Sequence, residues 1–205
     1  ADGSWGEIST SVESVDGGWA VEDHPLRPVF QDSAEGDDAV TVTRNGHEVA
    51  FSLVGADAGT VESPFWWWDA WDELAYRDVA AGTDIEYEVL PGAVKETVVL
   101  KERPAGSKSS WSWRLDVGEL TPRLVEPNTL ELVDASGVVA LTVPSPLAWD
   151  SSGTEGQRVP SMVPLTASIA KGSGVGVWRY TVTADAKWLA SSARVYPVGI
   201  DPTFT

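Results

Sequence analysis

The sequence predicts an all-β protein, an antiparallel β-sandwich-like module with at most one short helix. Apolar and polar residues alternate with a period of two in several stretches, as they do in strands with one buried face. The 19 glycines and 13 prolines are spread at short intervals along the 205 residues, which predicts short strands joined by turns. No segment of about 20 to 50 residues repeats, so a solenoid is not expected.

The clearest predicted element is a hairpin between residues 40 and 53. Valines alternate with threonines over residues 40–43, and apolar residues alternate with polar or small ones over residues 48–53. Asn45-Gly46 stands between the two arms. This pair favours a type I′ turn, because both residues tolerate a positive φ.

The same alternation predicts further strands along the chain. They cover residues 84–89, 94–100, 111–116, 130–132, 138–143 and 177–182. Pro91-Gly92 and Ala135-Ser136-Gly137 supply turns between them. Only residues 185–193 favour a helical turn, in which Asp185 can cap the first backbone N–H groups.

Periodicity is weak before residue 39, which suggests a boundary there. Residues 1–38 are rich in Gly, Ser, Asp and Glu. They are predicted to form an irregular N-terminal extension. Residues 39–205 are predicted to form the β-rich module.

The charge of the chain argues against several classes of partner. Its 31 acidic and 14 basic residues give a net charge of −17. Nucleic acids and anionic membrane surfaces both attract basic proteins, so neither is expected as a partner. The acidity is interpreted as a source of solubility. No run of about 18 apolar residues is present, which argues against membrane insertion, and no signal peptide is recognisable.

The inventory of catalytic residue types is small. The chain has no cysteine and two histidines, so disulfides and thiolate metal sites are excluded. There is no G-x-S-x-G motif to carry a serine nucleophile. His24 and His47 are predicted to lie at the surface, and neither a metal nor a cofactor is expected.

A tryptophan-rich stretch is the main candidate binding site. Residues 65–71 read Phe-Trp-Trp-Trp-Asp-Ala-Trp. Indole rings offer apolar faces that can stack on sugar rings, and carboxylates accept hydrogen bonds from hydroxyl groups. Three consecutive tryptophans in an extended chain cannot all face one core. The residues predicted to bind a glycan or a partner are Trp66, Trp67, Trp68, Trp71 and Asp69, with core packing as the alternative.

Carboxylates elsewhere give weaker candidates. Asp84, Glu86 and Glu88 share one face of a predicted strand. Neighbours on such a face lie about 7 Å apart, too far to share a calcium ion, so a solvated outer face is predicted. Asp69 and Glu73 are a weak candidate for a glycosidase pair, because nothing in the sequence raises the pKa of either carboxyl.

Six segments, in order, resemble a module of large secreted bacterial surface proteins. They are 76–79 (Y-x-x-V), 83–89 (ending D-x-x-Y-x-V), 95–100 (K-E-x-x-V-L), 144–153 (P-x-P-x-x-x-D-S-x-G), 188–189 (W-L) and 196–203 (YPV-x-IDPT). Proteins with this module carry RHS/YD-repeat arrays or DNRLRE-type segments, and many are polymorphic toxins. The tryptophan cluster is not a feature of that family. The closing YPV-x-IDPT signature and the absence of an initial methionine suggest a piece of a longer chain.

The resemblance implies context more than chemistry, since it brings no catalytic residues. It implies an extracellular or cell-surface location and a non-catalytic structural or adhesive module, not an enzyme. Its partners would be neighbouring segments of the parent chain or a glycan. A carbohydrate-binding module that uses the tryptophan cluster is the alternative function. A glycan-active enzyme is the third.

Overall fold

The computed structural model describes residues 7–62, 71–106, 108–153 and 160–205. These residues form nineteen β-strands, one short α-helix and one three-residue 3₁₀ helix (Ser151–Gly153). All strand pairs are antiparallel. The predicted all-β, sandwich-like class is therefore confirmed. No helix among the described residues is long and apolar enough to cross a membrane.

The first sheet has eight strands in the order β1-β2-β3-β4-β5-β10-β17-β16. The strands are β1 (Glu13–Val15), β2 (Gly18–Ala20), β3 (Val29–Gln31), β4 (Val40–Arg44), β5 (His47–Leu53), β10 (Ser110–Asp116), β16 (Thr166–Lys171) and β17 (Val177–Thr183). The predicted hairpin is β4–β5, and its turn residues Asn45 and Gly46 have φ values of 53° and 84°, as a type I′ turn requires. Three short strands, β1 to β3, lie in the stretch that was expected to be irregular.

The second sheet follows the order β15-β14-β18-β9-β8-β7-β6, and β19 also pairs with β9. The strands are β6 (Thr60–Glu62), β7 (Glu73–Ala80), β8 (Thr83–Leu90), β9 (Ala93–Leu100), β14 (Leu147–Asp150), β15 (Met162–Pro164), β18 (Val198–Asp201) and β19 (Thr203–Phe204). The penultimate strand β18 lies between β14 and β9. The end of the chain therefore occupies an interior position in this sheet.

A smaller three-stranded sheet, together with the helix, completes the described structure. Its strands are β11 (Thr121–Val125), β12 (Thr129–Val133) and β13 (Val139–Val143). The helix α1 (Ala186–Ala190) is shorter than the predicted 185–193. It is capped as predicted, because the Asp185 carboxylate accepts a hydrogen bond from the Lys187 N–H at 2.7 Å.

The core lies between the two large sheets and is rich in aromatic residues. Phe51 of β5 stacks on Phe204 of β19, with ring centroids 3.9 Å apart. Phe30 of β3 and Tyr87 of β8 also meet, at 5.2 Å. Burying a large apolar side chain contributes about 1.5 to 3 kcal/mol relative to leaving it exposed. These contacts between sheets therefore fix how the two layers face each other.

Candidate functional site

The structure describes only one residue of the predicted binding cluster. Trp66, Trp67, Trp68 and Asp69 lie outside the described residues. Trp71 is 52% exposed, and its carbonyl accepts a hydrogen bond from the Val12 N–H at 2.7 Å. The role of the cluster in binding a ligand or partner stays a prediction.

The pKa of the Glu73 carboxyl differs from what the sequence predicted. It begins β7 beside Asp72 and opposite Glu88 of β8. Glu73 is exposed, but neighbouring atoms reduce its hydration and raise its pKa, and the negative charges of Asp72, Glu88 and Glu86 raise it further. The expectation that nothing raises a pKa here was wrong, because cross-strand pairing brings together carboxylates that are distant in sequence.

The stripe of Asp84, Glu86 and Glu88 is not simply solvated. Asp84 is buried, and Arg77 and Lys101 reach its carboxylate at 3.3 and 2.8 Å. We define the ion-pair cluster as the two cations with their four carboxylate partners: Arg77, Lys101, Glu62, Asp78, Asp84 and Glu86. Glu88 pairs separately with Lys95.

A bulge between β7 and β8 explains why Asp84 is drawn inward. Asp78 lies in this bulge with a φ of 58°. Its N–H donates a hydrogen bond to the Asp84 carboxylate at 2.8 Å. Burial acts to raise the pKa of Asp84, but this bond and the one from Lys101 outweigh it and lower the pKa. Asp84 of the stripe thus links β8 to Arg77 of β7 and to Lys101, which follows β9, through ion pairs.

Three of the segments that carry the family resemblance meet around one buried ion pair. Arg194 reaches Asp150 at 2.5 Å, and both side chains are almost completely buried. The Arg194 guanidinium lies 3.7 Å from the centre of the Trp188 ring, and the Tyr196 hydroxyl donates to the Leu189 carbonyl at 3.1 Å. The segment around Asp150 thus meets the two segments near the C-terminus, more than 30 residues later in the sequence, at one structural junction.

Asp150 is the centre of this junction. Its carboxylate accepts hydrogen bonds from Ser152, Ser161 and Val195, in addition to the ion pair with Arg194. Burial acts to raise the pKa of Asp150, but the bonds from Ser152, Ser161 and Val195 hold the pKa well below its usual range. With its lone pairs used in this way, Asp150 is suited to holding strand β14 against the C-terminal segment.

Glu96 is a buried titratable residue that the sequence analysis missed. It lies on β9 with no exposed surface, and it accepts hydrogen bonds from the Tyr87 hydroxyl at 3.0 Å and the Trp113 indole N–H at 2.5 Å. Burial raises the pKa of Glu96 to about 7, although both hydrogen bonds act to lower it. Its position gave a signal, because Glu96 shares its strand face with Val94 and Val98.

His24 is likewise buried, which corrects its predicted surface position. Its Nδ1 accepts from the Leu26 N–H at 3.1 Å, and its Nε2 lies 2.7 Å from the Leu90 carbonyl of β8. This arrangement requires the proton on Nε2. The Nε2 bond thus ties the N-terminal segment to β8 of the second sheet, and the Nδ1 bond fixes the local loop that holds the ring in place.

Among the described residues, no group of three or more His, Cys, Asp or Glu side chains is arranged so that it could hold a metal ion.

A cleft of about 440 Å³ beside the β4–β5 turn is lined by several titratable residues, among them Asp38, His47, Glu48, Asp116 and Glu119. Four of these five carry carboxylates. The cleft would therefore favour a cationic group over a phosphate.

Similarity to known proteins extends along almost the whole chain. The tRNA(Glu)-specific nuclease WapA of Bacillus subtilis subsp. natto (strain BEST195) is 27% identical over 218 residues, which cover 98% of this chain and 9% of that protein. The tRNA nuclease WapA of Bacillus subtilis (strain 168) is 26% identical with the same coverage. The tRNA3(Ser)-specific nuclease WapA of Bacillus spizizenii is 26% identical over 97% of this chain and 9% of that protein. No protein-family model and no solved structure matches the chain.

These relatives overturn three expectations from the sequence. The similar proteins are named as tRNA nucleases. The expected non-catalytic structural or adhesive role was therefore wrong, as was its alternative of carbohydrate binding. The expectations that the protein is not an enzyme and that nucleic acid is not a partner were wrong for the same reason. The chain spans only 9% of the length of these relatives. A net charge counted over so small a share says little about the partners of the whole protein, which is why the argument from charge failed.

Proposed function

We propose that this protein acts on tRNA as a nuclease. The observation that carries the proposal is the similarity to three proteins named as tRNA nucleases, which runs over 97 to 98% of the chain instead of being confined to a short motif. The aligned part is 9% of each relative. The activity is therefore proposed for the whole protein, and the experiment below tests whether the reacting residues lie within this chain.

Cleavage of RNA needs groups that move protons and cations that stabilise the charge developing on the phosphate. Among the described residues, the ion-pair cluster brings both kinds together: Arg77 lies 2.5 Å from Glu86, whose side chain is 44% exposed. The four carboxylates of the cluster outnumber its two cations. A phosphate could therefore approach Arg77 only if the guanidinium left at least one of its present partners.

The experiment compares the full-length protein with the 205-residue chain, each incubated with purified tRNA and with ribosomal RNA as a control substrate. We expect the full-length protein to cleave tRNA and to leave ribosomal RNA largely intact. Failure of the folded full-length protein to cleave any tRNA would overturn the proposal.

The same experiment locates the activity. Cleavage by the 205-residue chain that is lost in Arg77→Gln and in Glu86→Gln would assign the chemistry to the ion-pair cluster. A matched control is Arg123→Gln, which removes a comparable exposed cation paired with Glu131 on the small sheet. Cleavage confined to the longer protein would place the reacting groups elsewhere in it.

We also propose that the protein is extracellular or attached to the cell surface and belongs with the polymorphic toxins. The support is the ordered set of segments from residue 76 to residue 203 that resembles the module of large secreted bacterial proteins. Mass spectrometry of culture medium, cell-wall and cytoplasmic fractions of the source organism tests the location. Recovery of the protein only from the cytoplasm would exclude it.

A further inference from the structure

The interior of the sandwich contains a carboxyl group without a cationic partner. Glu96 is completely buried, and its two oxygens accept hydrogen bonds from Tyr87 and from Trp113. None of the ion pairs formed among the described residues includes Glu96. A charge in such a place is costly, so the neutral form is favoured.

The C-terminal strands cover the edge of β9 beside Glu96. Ile200 of β18 pairs with Val98, and Thr203 of β19 pairs with Lys95. In the same register Asp201 lies opposite Thr97, and Pro202 lies opposite Glu96. Proline has no N–H to donate, so the ladder is weakened at the level of Glu96. We define residues 198–205 as the closing segment.

Asp201 adds a second carboxyl group at this place. Its side chain accepts a hydrogen bond from the Thr203 hydroxyl at 2.6 Å. Burial raises the pKa of Asp201, and its negative charge in turn raises the pKa of Glu96. The charge of Asp201 thus disfavours the ionisation of Glu96.

The other titratable groups near the pair do little to offset this repulsion. Tyr87, Tyr76 and Tyr180 face the interior from β8, β7 and β17, and burial raises the pKa of each phenol. The Tyr180 hydroxyl has no hydrogen-bond partner among the described residues. The cation that acts on Asp201 is Lys95, which is itself paired with Glu88 at 3.0 Å.

We propose that Glu96 and Asp201 make the closing segment a pH-dependent latch, closed while Glu96 is protonated and opened more often once Glu96 is ionised. Opening here is easier than elsewhere around Glu96, because β18 and β19 have four and two residues whereas β8 and β10 have eight and seven. Local opening occurs where the fewest contacts are broken. This inference does not depend on the proposed action on tRNA.

Amide hydrogen exchange of the 205-residue chain tests the latch. Exchange is measured at pH 6 and pH 8, corrected for the intrinsic exchange rate, and compared between peptides from the closing segment and peptides from β10 and β17. If the pKa of Glu96 falls from about 7 in the closed state to 4.5 in the open state, linkage predicts that protection in the closing segment falls roughly tenfold from pH 6 to pH 8. Protection in β10 and β17, which is lost on global unfolding, should fall by the same factor. The latch is therefore identified by amides of the closing segment that exchange faster than those of β10 and β17 at both pH values.

Two variants assign the effect to the carboxyl groups. Glu96→Gln should reduce the loss of protection to less than about twofold, because no charge then appears at this site. Asp201→Asn should shift the transition of the closing segment to lower pH. Glu131→Gln, which changes a partly exposed carboxylate on the small sheet, should retain the tenfold loss.

Three outcomes would overturn the latch. They are an unchanged closing segment between pH 6 and pH 8, protection of the closing segment equal to that of β10 and β17, and a tenfold loss that persists in Glu96→Gln. The first two are read from the unsubstituted protein. The proposal is therefore testable even if Glu96→Gln does not fold.

Discussion

The Trp149 ring occupies the space that a side chain at Gly199 would need. The two residues are cross-strand neighbours in β14 and β18, and a Cβ built on Gly199 would lie 2.5 Å from both Cε2 and Cζ2 of the indole. Lys95 lies over the same ring, 5.7 Å from its centroid. The glycine within the closing signature is thus explained by packing: its bare backbone forms the surface on which the indole lies.

Gly199→Ala should destabilise the chain by about 1 to 3 kcal/mol, because the indole must leave its position to admit a methyl group. Urea denaturation measures the change. Gly92→Ala is the matched control, since a Cβ there meets no atom within 4 Å, and it should have little effect or stabilise slightly. In a Trp149→Ala background the cost of Gly199→Ala should largely disappear. An equal cost in both backgrounds would contradict the packing explanation.

Asp150→Asn should be much more harmful than a change at an exposed ion pair. It leaves the buried Arg194 without its counter-charge, which typically costs about 3 to 5 kcal/mol. Glu131→Gln, which breaks the more exposed pair with Arg123, should cost no more than about 1 kcal/mol. Both values come from urea denaturation at pH 7, and similar costs for the two variants would refute the assignment.

The Asp150 variant should also alter the response to acid. Because the pKa of Asp150 is lowered in the folded chain, its stabilisation is present above its unfolded pKa of about 3.8 and is lost as the pH falls through the lower folded value. Asp150→Asn should therefore flatten the loss of stability below about pH 4. Denaturation at pH 2.5 to 5 checks this, and an unchanged slope would show that other carboxyl groups dominate.

Glu96 should give the opposite dependence on pH. The pKa of Glu96 is raised from 4.5 to about 7 in the folded chain, so the folded state binds its proton more tightly than the unfolded state does. Its stabilisation is fully present below pH 4.5 and is lost as the pH rises through 7, by about 3 kcal/mol in total. Glu96→Gln should remove this decline between pH 5 and pH 8, and a decline of the same size in the variant would exclude Glu96 as its source.

His24→Ala should cost about 2 to 4 kcal/mol, because it leaves the Leu26 N–H and the Leu90 carbonyl without their partner. His47→Ala is the natural control. His47 lies next to the exposed turn of the β4–β5 hairpin, and its replacement should change stability by less than about 0.5 kcal/mol. Thermal denaturation of the two variants at pH 7 compares them, and equal shifts would contradict the tie between the N-terminal strands and β8.

Strands with strict alternation could be predicted from the sequence, and strands without it could not. Trp111, Trp113 and Leu115 alternate with polar residues and are buried as expected. The pattern fails for β1, whose three residues are all exposed, and for β15, where Met162 and Pro164 are exposed. Such short edge strands depend on a neighbour for their backbone hydrogen bonds, which leaves little trace in their own composition.

The sequence predicts the buried positions of some functional candidate side chains and not the pairing of others. Parity within β9 places Glu96 on the buried face, although its residue type argues for the surface. The contact between Asp150 and Arg194 spans 44 residues, and no local pattern encodes such a pairing. The action on tRNA proposed for the whole protein could not be predicted from the resemblance, because three of its six segments meet at a structural junction and none of the six brings a catalytic motif.

The place of β18 between β14 and β9 has a consequence for the order in which the protein can be assembled. Strand β9 finds its partner β8 as soon as both have been synthesised, but its other edge has to wait for about a hundred further residues. Until residues 198–204 emerge from the ribosome, β9 and β14 both present unpaired edges, the kind of surface that recruits other chains. Nascent or truncated forms should therefore be prone to aggregation, and non-local pairing of this kind is slow to form. The last two strands to be synthesised therefore complete the second sheet, because β18 joins β14 to β9 and β19 pairs with β9.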